Sequence, residues 1–562
     1  WQIKAEKVVH DEDKRTLTYR DATLELLGVP ILYTPWFQHP DVTVDRASGF
    51  LTPDFGSSSI LGLTVEIPYY FNLAPNKDLT LAPLLTTDER AALLFEYRHR
   101  LSNGTFQFSG SGTYVSERDF ENNKIPGNEF RGHLFGEGRF DLKGGWGWGF
   151  DVEVASDDTF LRRYDFSRAD SLVNRLFIEN IDGRNYFNAT AYAFQGLRAE
   201  DDAGMTPIAA PYVRYSYVSA PSWLGGHFEV DSDLLMLTRT DGLDTGRGGV
   251  NASWQIPYTS PFGELYKLTV GVRGDVYYLR DRPAPGQPDA TLGDDFEARA
   301  IPYIALDWKL PFIRRGKNSQ QIIEPIIQVV ASPTGVNDMD IPNEDSLSFD
   351  FDTTNLFQIN RFAGTDVWEP GARVAYGVKF TQFTDNGTRA SILVGQSYRF
   401  SDEEVMPADS GLRNNLSDIV IGASLSVPNA FHYEHRLRLD KDDFSITRNE
   451  GAVIFGPEDY RFSIGYTEVN RNGFDPLLRD REEVRTAAKV KLSRYWSASA
   501  DFSYDFEPQG GVLTTGGALT YEDECFKFRL RARRDFTSDR EVRPETSIGF
   551  QLVFKAVGDN TQ

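Results

Sequence analysis

The chain is short of several residue types and patterns, and each shortage excludes a class of protein. Cys525 is the one cysteine in 562 residues, so no disulfide can form within the chain. No segment approaches about 18 consecutive apolar residues, which excludes transmembrane helices. Lysine and arginine total 59 against 82 acidic residues, giving a formal net charge of −23. This balance argues against nucleic acid as a partner, because phosphates need a basic surface.

Motifs for catalysis and for cofactor binding are absent from the sequence as well. It contains no glycine-rich phosphate loop, no Gly-x-Ser-x-Gly elbow and no Cys-x-x-Cys pair. The seven histidines are scattered, and on a strand His432 and His435 would point to opposite faces. We therefore predict a protein that is not an enzyme and has neither a metal nor a cofactor.

The pattern that fills the chain is a two-residue alternation of apolar and polar positions. It runs from about residue 57 to residue 554, although mean hydropathy is only −0.40. Residues 266–278 show it well, with an apolar centre and tyrosine at both ends, as in the aromatic girdles of membrane barrels. At one strand per ~20 residues we expect roughly 24–26 strands, too many for one soluble sheet. The sequence thus predicts an all-β fold dominated by a large transmembrane antiparallel β-barrel.

The first 45 residues differ from the rest and are assigned to a separate unit. Pro30, Pro35 and Pro40 stand close together, and such a density of proline excludes a central barrel strand. We expect residues 1–45 to lie outside the barrel and residues 46–562 to form it. Because the chain starts at Trp1 inside a predicted strand, we expect further sequence upstream.

Two stretches carry a resemblance to a known family. RASGFLTPDFG (residues 46–56) and IPYYFNLAPNKDLTLAP (residues 67–83) closely resemble the lipopolysaccharide-assembly outer-membrane proteins, the LptD family. The resemblance implies that residues 1–45 are the C-terminal part of a periplasmic β-jellyroll that passes lipid into the barrel. It also implies translocation of lipopolysaccharide to the outer leaflet of the outer membrane. The implied partners are lipopolysaccharide, a plug lipoprotein inside the barrel and a periplasmic lipopolysaccharide-bridge protein at the jellyroll.

The two prolines of the second stretch predict a weak place in the barrel wall. Neither proline can donate to a β-ladder. We expect the first strand, about residues 58–69, to pair with the last, about residues 547–555, and this closure to open most easily as a lateral gate. The alternative is that the prolines only end strands at the membrane edge. The candidate gate residues are Pro68, Pro83, Ile67, Tyr69, Phe550 and Leu552.

Residues 346–377 interrupt the alternation and are too long for a simple turn. They resemble the long loop of the family that folds toward the lumen, expected here around residues 338–370. The loop either lines the route of sugar and phosphate groups or only braces the wall, and both alternatives stay open. Its candidate residues are Asn355, Phe357, Asn360, Arg361, Gly364 and Asp366.

Near the C-terminus, four cations share one face of a predicted strand: Lys527, Arg529, Arg531 and Arg533. With the apolar face in lipid, this basic row faces the lumen. It either pairs with acidic groups of neighbouring strands or binds a phosphate-bearing lipid or the acidic surface of a plug. Cys525 aligns with a cysteine position of the family, and we expect it to be unpaired unless its partner lies upstream of Trp1.

Two other functions compete with lipid translocation. One is a general outer-membrane uptake channel, and the other is a structural or adhesive surface barrel. A lipase built on a barrel is the catalytic alternative.

Overall fold

The structure of the protein, a computed structural model, describes residues 2–26, 29–41, 43–44, 46–116, 118, 123–284, 287–401, 405–407, 410–469, 480–508, 510–524, 526–538, 540 and 542–554. Within these ranges, helices are confined to single short turns: α1 (Phe160–Arg163) and two 3₁₀ turns (Lys143–Gly145 and Trp223–Gly225). None of these is long and apolar enough to cross a membrane.

The N-terminal residues form a three-stranded antiparallel sheet of their own. Its strands are β1 (Gln2–Asp11), β2 (Thr16–Leu26) and β3 (Val29–Pro40), in the order β1-β2-β3. The proline-rich segment is thus a strand, but it lies at the edge of this sheet and not in the barrel wall. An edge strand tolerates proline because one side of its backbone makes no ladder.

The other long strands form one closed barrel. Its first six segments are β4 (Gly49–Phe50), β5 (Asp54–Ser58), β6 (Gly62–Glu66), β7 (Tyr69–Ala74), β8 (Lys77–Thr86) and β9 (Ala92–Leu101). The next nine are β10 (Gly104–Val115), β11 (Glu129–Asp141), β12 (Trp146–Ala155), β13 (Ser171–Asp182), β14 (Asn185–Gly196), β15 (Ile208–Val218), β16 (His227–Thr238), β17 (Asp244–Thr259) and β18 (Leu265–Arg280). A small hairpin of β19 (Pro283–Ala284) and β20 (Gln287–Thr291) stands apart from the wall.

The wall continues without interruption to the C-terminal strand. Its middle segments are β21 (Asp295–Lys309), β22 (Phe312–Arg315), β23 (Ser319–Ala331), β24 (Ala372–Thr384), β25 (Arg389–Arg399), β26 (Ile419–Val427) and β27 (Phe431–Leu439). Its last are β28 (Ile446–Phe455), β29 (Tyr460–Val469), β30 (Arg481–Lys491), β31 (Trp496–Asp505), β32 (Gly511–Glu522), β33 (Phe526–Asp535) and β34 (Glu545–Phe554).

The barrel closes because β34 pairs with β5. Segments β6 and β7 belong to one wall strand, as do β21 and β22, while the short β4 pairs with β7 beside β5. Counted in this way, the barrel has 26 antiparallel strands. The predicted fold class and strand number are confirmed.

Each wall strand has two chemically different faces. On β18, Val270, Val272 and Val276 are 44–45% exposed on the outer face. Arg273 and Asp275 lie on the other face and are buried beneath loops inside the barrel. An apolar exterior around a polar interior is the arrangement of a barrel whose outer face meets lipid.

The connections differ at the two ends of the barrel. Turns of a few residues, such as 75–76, 102–103 and 183–184, lie at the end where the chain enters β5. Long loops lie at the other end, and several of them have buried residues that pack inside the barrel. We call residues 156–170, which contain α1, the helix loop, and residues 332–371 the inward loop.

Candidate lateral gate and lumen site

The ladder between β5 and β34, here called the seam, is short. It contains five residue pairs, from Ser58 opposite Ser547 to Asp54 opposite Gln551. One further backbone bond, from Ser59 N to Thr546 O at 3.1 Å, extends it. By contrast, β34 forms ten pairs with β33 on its other side. The seam therefore has about half as many residue pairs as the adjacent ladder between β33 and β34.

The expected first strand was wrong in position. The segment that pairs with the last strand is Asp54–Ser58, whereas residues 58–69 lie mostly in the second wall strand. The sequence Asp-Phe-Gly-Ser-Ser has little intrinsic preference for a strand, so its pattern is weaker than that of residues 61–69. Backbone pairing with β34 and β6 on its two sides makes it a strand.

Both prolines interrupt ladders beside the seam. Ile67 N donates to Pro83 O at 3.1 Å, but Pro83 has no N–H with which to return the bond. Pro68 O accepts a bond from Leu51 N at 2.9 Å, and again the return bond is missing. Each proline thus removes one of the two hydrogen bonds of a residue pair. The two affected pairs lie on opposite sides of the second wall strand.

On the outer face, aromatic contacts cover the seam. Phe55 stacks on Phe550 across the seam, with ring centroids 4.9 Å apart. Tyr69 makes an edge contact with Phe50, with ring centroids 4.9 Å apart, beyond the short-turn end of the seam. Leu552 pairs with Phe528 of β33 and lies beyond the last seam pair. Among the candidate gate residues, Phe550 contacts the opposite strand across the seam, whereas Tyr69 and Leu552 lie beside it.

The lumen face of the seam carries charge. Arg531 of β33 approaches Asp54 of β5 at 3.9 Å, reaching over β34. The Arg531 side chain can pass over β34 because the residue opposite it there is Gly549, which has no side chain. Asp54 in turn lies directly opposite Glu66 of β6, and like charges in that position repel.

The remaining cations of the basic row also lie on the lumen face. Lys527 approaches Glu522 at 3.8 Å, and Arg533 approaches Asp501 at 3.9 Å. Arg529 is exposed beside Gln551. The row is thus only loosely paired and stays open to the lumen.

One end of the inward loop is fixed to the wall by buried charges. Asp366 and Asp345 both accept bonds from Arg247 of β17, at 2.6 and 2.7 Å. Arg299 of β21 donates to the backbone carbonyls of Thr365 and Asp366, both at 2.6 Å. The loop is therefore bound to β17 and β21, wall strands that lie close to its own base at β23 and β24.

The two carboxylates of this site titrate differently. Burial raises the pKa of Asp345, but Arg247 and backbone N–H donors outweigh it and lower the pKa to about 2. Burial and the neighbouring charge of Asp345 raise the pKa of Asp366 above its ordinary value. The charge of Arg247 and the backbone donors thus favour the ionised form of Asp345 more than that of Asp366.

The rest of the inward loop is held both by internal contacts and by contacts with wall strands. Arg361 and Glu369 form a fully buried ion pair, with Arg361 Nε 2.6 Å from Glu369 Oε2. Asn360 and Asn355 donate to loop carbonyls at 3.0 and 2.7 Å. Phe357 packs against an apolar cluster formed with wall strands. Five of the six predicted loop residues thus make contacts that fix the loop in place.

The sixth, Gly364, provides a testable prediction. A Cβ atom there would lie 2.0 Å from Oδ1 and 2.5 Å from the backbone oxygen of Asp345. Gly364→Ala should displace Asp345 from Arg247 and destabilise the loop by about 1–3 kcal/mol. Faster hydrogen exchange at residues 364–367 would measure this. Gly293→Ala is the control, since nothing lies within 4 Å of its Cβ; equal exchange in both variants would contradict the prediction.

Two further features lie beside the seam and were missed in the sequence. Arg46 donates to Tyr70 Oη at 3.0 Å and pairs with Asp78, which Arg98 also contacts at 2.9 Å. This cluster fixes the chain where it enters the barrel. Arg46 belongs to the first family-like stretch, but nothing local indicates that its partner is Asp78.

The helix loop is the second missed feature. Its Phe160 and Leu161 are buried with Leu61 and Leu84 of the first wall strands. Its Asp158 accepts a bond at 2.7 Å from Arg540, which follows β33. The loop therefore contacts both sides of the seam at the long-loop end. The available signal was the presence of four large apolar or aromatic residues in Phe-Leu-Arg-Arg-Tyr-Asp-Phe (residues 160–166), which is unusual for an exposed loop.

Across the described ranges, no group of three or more His, Cys, Asp or Glu side chains could hold a metal ion. Cys525 lies outside the described residues.

A closed 26-strand wall with an apolar exterior, a charged lumen and a short seam defines a large membrane-spanning β-barrel. A family model described as LptD, LPS transport system D, matches residues 129–496, well over half of the chain. The chain belongs to the LptD family. Membership indicates lipopolysaccharide assembly at the outer membrane, a transport or assembly role and not an enzymatic one.

Individual relatives are distant but match along the whole chain. An LPS-assembly protein LptD of Thiobacillus denitrificans is 25% identical, covering 99% of this chain and 74% of the relative. The protein of that name from Nitrosococcus oceani is 26% identical, covering 100% and 74%. A solved structure of the copper transporter OprC covers 96% of this chain and 85% of its own at 9% identity. Its TM-score of 0.33 is too low to carry an argument.

Proposed function

We propose that the chain is an outer-membrane translocon that inserts lipopolysaccharide into the outer leaflet through a lateral gate between β5 and β34. The observation that carries the proposal is the five-pair seam beside two proline-interrupted ladders. Unpaired peptide groups in hydrocarbon cost several kcal/mol each. A barrel therefore opens sideways where the fewest ladder bonds must break.

The chemistry of the two faces supports this route. Lipopolysaccharide has charged sugars and apolar acyl chains. The lumen presents the basic row and other charged groups, and the exterior presents apolar side chains. A lateral opening lets the sugars stay in the polar lumen while the acyl chains leave into the membrane.

The candidate residues receive the following roles. Pro68, Pro83, Ile67 and Tyr69 weaken or border the first side of the gate, while Phe550 and Leu552 border the last strand. The inward loop braces the wall, because its Arg361 and Asp366 are buried in ion pairs. Cys525 is proposed to be a free thiol.

Two protein partners, a periplasmic bridge protein and a plug lipoprotein, complete the proposal. Residues 1–45 are the end of a periplasmic β-jellyroll, which receives lipid from a periplasmic bridge protein. This fits the position of the N-terminal sheet next to the chain's entry at the short-turn end, where bacterial barrels have their periplasmic turns. A plug lipoprotein occupies the lumen, with the basic row as one possible contact for its acidic surface.

The gate is tested by locking the seam. Ser58 and Ser547 are opposite each other, and both side chains are close to cysteine in size. In a Cys525→Ser background, oxidation of a Ser58→Cys, Ser547→Cys variant should abolish arrival of new lipopolysaccharide at the cell surface, and reduction should restore it. Surface lipopolysaccharide is measured by its accessibility to an enzyme added outside the cells.

The matched control places the same crosslink elsewhere in the wall. Ser499 and Ala518 are opposite each other on β31 and β32, and their cysteine pair should leave delivery unchanged. A confirmed seam crosslink with normal delivery would falsify the lateral gate. General uptake through the lumen, the competing function, would not depend on the seam lock.

A further inference from the structure

We propose that Arg531 is an anion-responsive tether of the seam: it holds Asp54 in the closed barrel and releases it when a phosphate monoester binds in the lumen. The inference rests on the proposed lateral gate and adds the ligand class that opens it. It starts from the 3.9 Å ion pair that joins β33 to β5 across β34.

The path of the tether is cleared by glycine. Gly549 of β34 lies opposite Arg531 on one side and Gly56 on the other. A Cβ atom at position 549 would lie 2.8 Å from Arg531 Nε. Because neither glycine has a side chain, the guanidinium can lie along the lumen face and reach the first strand.

Asp54 is a partner that Arg531 can readily exchange. The Arg531 side chain is 64% exposed, and exposed ion pairs contribute only about 0–1 kcal/mol. The tether therefore holds the seam without fixing it permanently.

A phosphate monoester competes well for this site. Arginine binds phosphate with two parallel hydrogen bonds, and a phosphate monoester carries up to two negative charges against one on a carboxylate. Arg529 stands two positions from Arg531 on the same face, roughly 7 Å away along the strand. The structure gives Arg529 no ion pair among the described residues. The two arginines can thus hold one phosphate between them.

Loss of the tether acts directly on the seam. When phosphate occupies Arg531, Asp54 loses its attraction to β33, and one charge interaction that holds β5 against β34 is gone. The lost attraction lies on the lumen face of the seam, where a lipid inside the barrel can reach it. The seam then opens when a phosphorylated substrate is present and stays closed otherwise.

The test measures how readily the seam cysteines meet. In purified protein carrying Ser58→Cys and Ser547→Cys, the rate of disulfide formation reports closure. Phosphorylated lipopolysaccharide should slow it at least threefold, while enzymatically dephosphorylated lipopolysaccharide should not. Slowing by inorganic phosphate at equal phosphate concentration assigns any phosphate as the ligand; no slowing by inorganic phosphate assigns the lipid headgroup.

Substitutions identify the residue. Arg531→Gln and Asp54→Asn should each form the disulfide slowly without lipid and lose the response to phosphate. Lys267→Gln, which removes an exposed lumen cation 3.4 Å from Asp307 between β18 and β21 and far from the seam in the strand order, should behave like the parent. The cysteine pair at Ser499 and Ala518 checks in each variant that the wall has folded.

Two results would overturn the tether. One is equal slowing by phosphorylated and dephosphorylated lipid, and the other is an intact phosphate response in Arg531→Gln. Either result leaves the lateral gate standing if the seam lock still blocks delivery in cells. A lock that does not block delivery refutes the gate itself, so the two failures are distinguishable.

Discussion

Replacing Pro68 and Pro83 together by alanine is expected to reduce delivery of lipopolysaccharide to the cell surface. An N–H at position 83 can donate to Ile67 O, and an N–H at position 68 can donate to Leu51 O, because the opposite bonds of both pairs already exist. Each new bond contributes about 1 kcal/mol in water-like surroundings and more in lipid. Both bonds lie in ladders beside the seam and resist opening when the second wall strand moves away with β5. Loss of both bonds on opening, about 2 kcal/mol, should lower the open fraction of the gate roughly 30-fold.

The measurement is the rate at which newly made lipopolysaccharide becomes accessible outside the cell. Pro302→Ala is the matched control, since Pro302 lies in β21 opposite Val272 and far from the seam in the strand order. The control should deliver at the normal rate. Unchanged delivery in the double variant, with the protein present at normal amounts, would show that the prolines only end strands at the membrane edge.

Arg361→Ala is expected to release the inward loop. Both Arg361 and Glu369 are fully buried. Removing Arg361 leaves Glu369 only the longer 3.5 Å contact with Arg373, and breaking a buried ion pair of this kind costs about 3 kcal/mol. Hydrogen exchange of the Val367 and Glu369 amides should accelerate roughly a hundred-fold or more.

An exposed ion pair in the same loop provides the control. Asp340 accepts a bond from Arg282 at 3.0 Å and is 59% exposed. Asp340→Ala should cost less than about 1 kcal/mol and leave exchange at residues 367–369 nearly unchanged. Equal acceleration in the two variants would mean that the buried pair does not hold the loop.

The strands far from the seam were predictable from the sequence because their signal is local. On β18 the same alternation that marks Val270 and Val272 as outer residues also marks Arg273 and Asp275 as lumen residues. The period of two assigns a face to each residue without any knowledge of its partners. A continuous series of such strands then has to close, because an open edge cannot exist in lipid.

The seam required the structure. Asp54–Ser58 has no strong strand pattern, and it becomes the first wall strand only because β34 and β6 pair with it. The sequence showed that Pro68 and Pro83 lack donors. It did not show that Pro68 faces Leu51 and that Pro83 faces Ile67, so that one hydrogen bond of each pair is missing. These partners depend on the register, which is a property of paired strands.

By itself, the sequence determined the class of fold, the number of strands within a narrow range, and the face on which the basic row lies. The tertiary structure alone decided which partners those residues meet. Arg531 and Asp54 are 477 positions apart and become neighbours because the barrel closes. Alternation and proline chemistry act within a strand, whereas the seam, its tether and the buried pairs of the inward loop depend on contacts between distant segments.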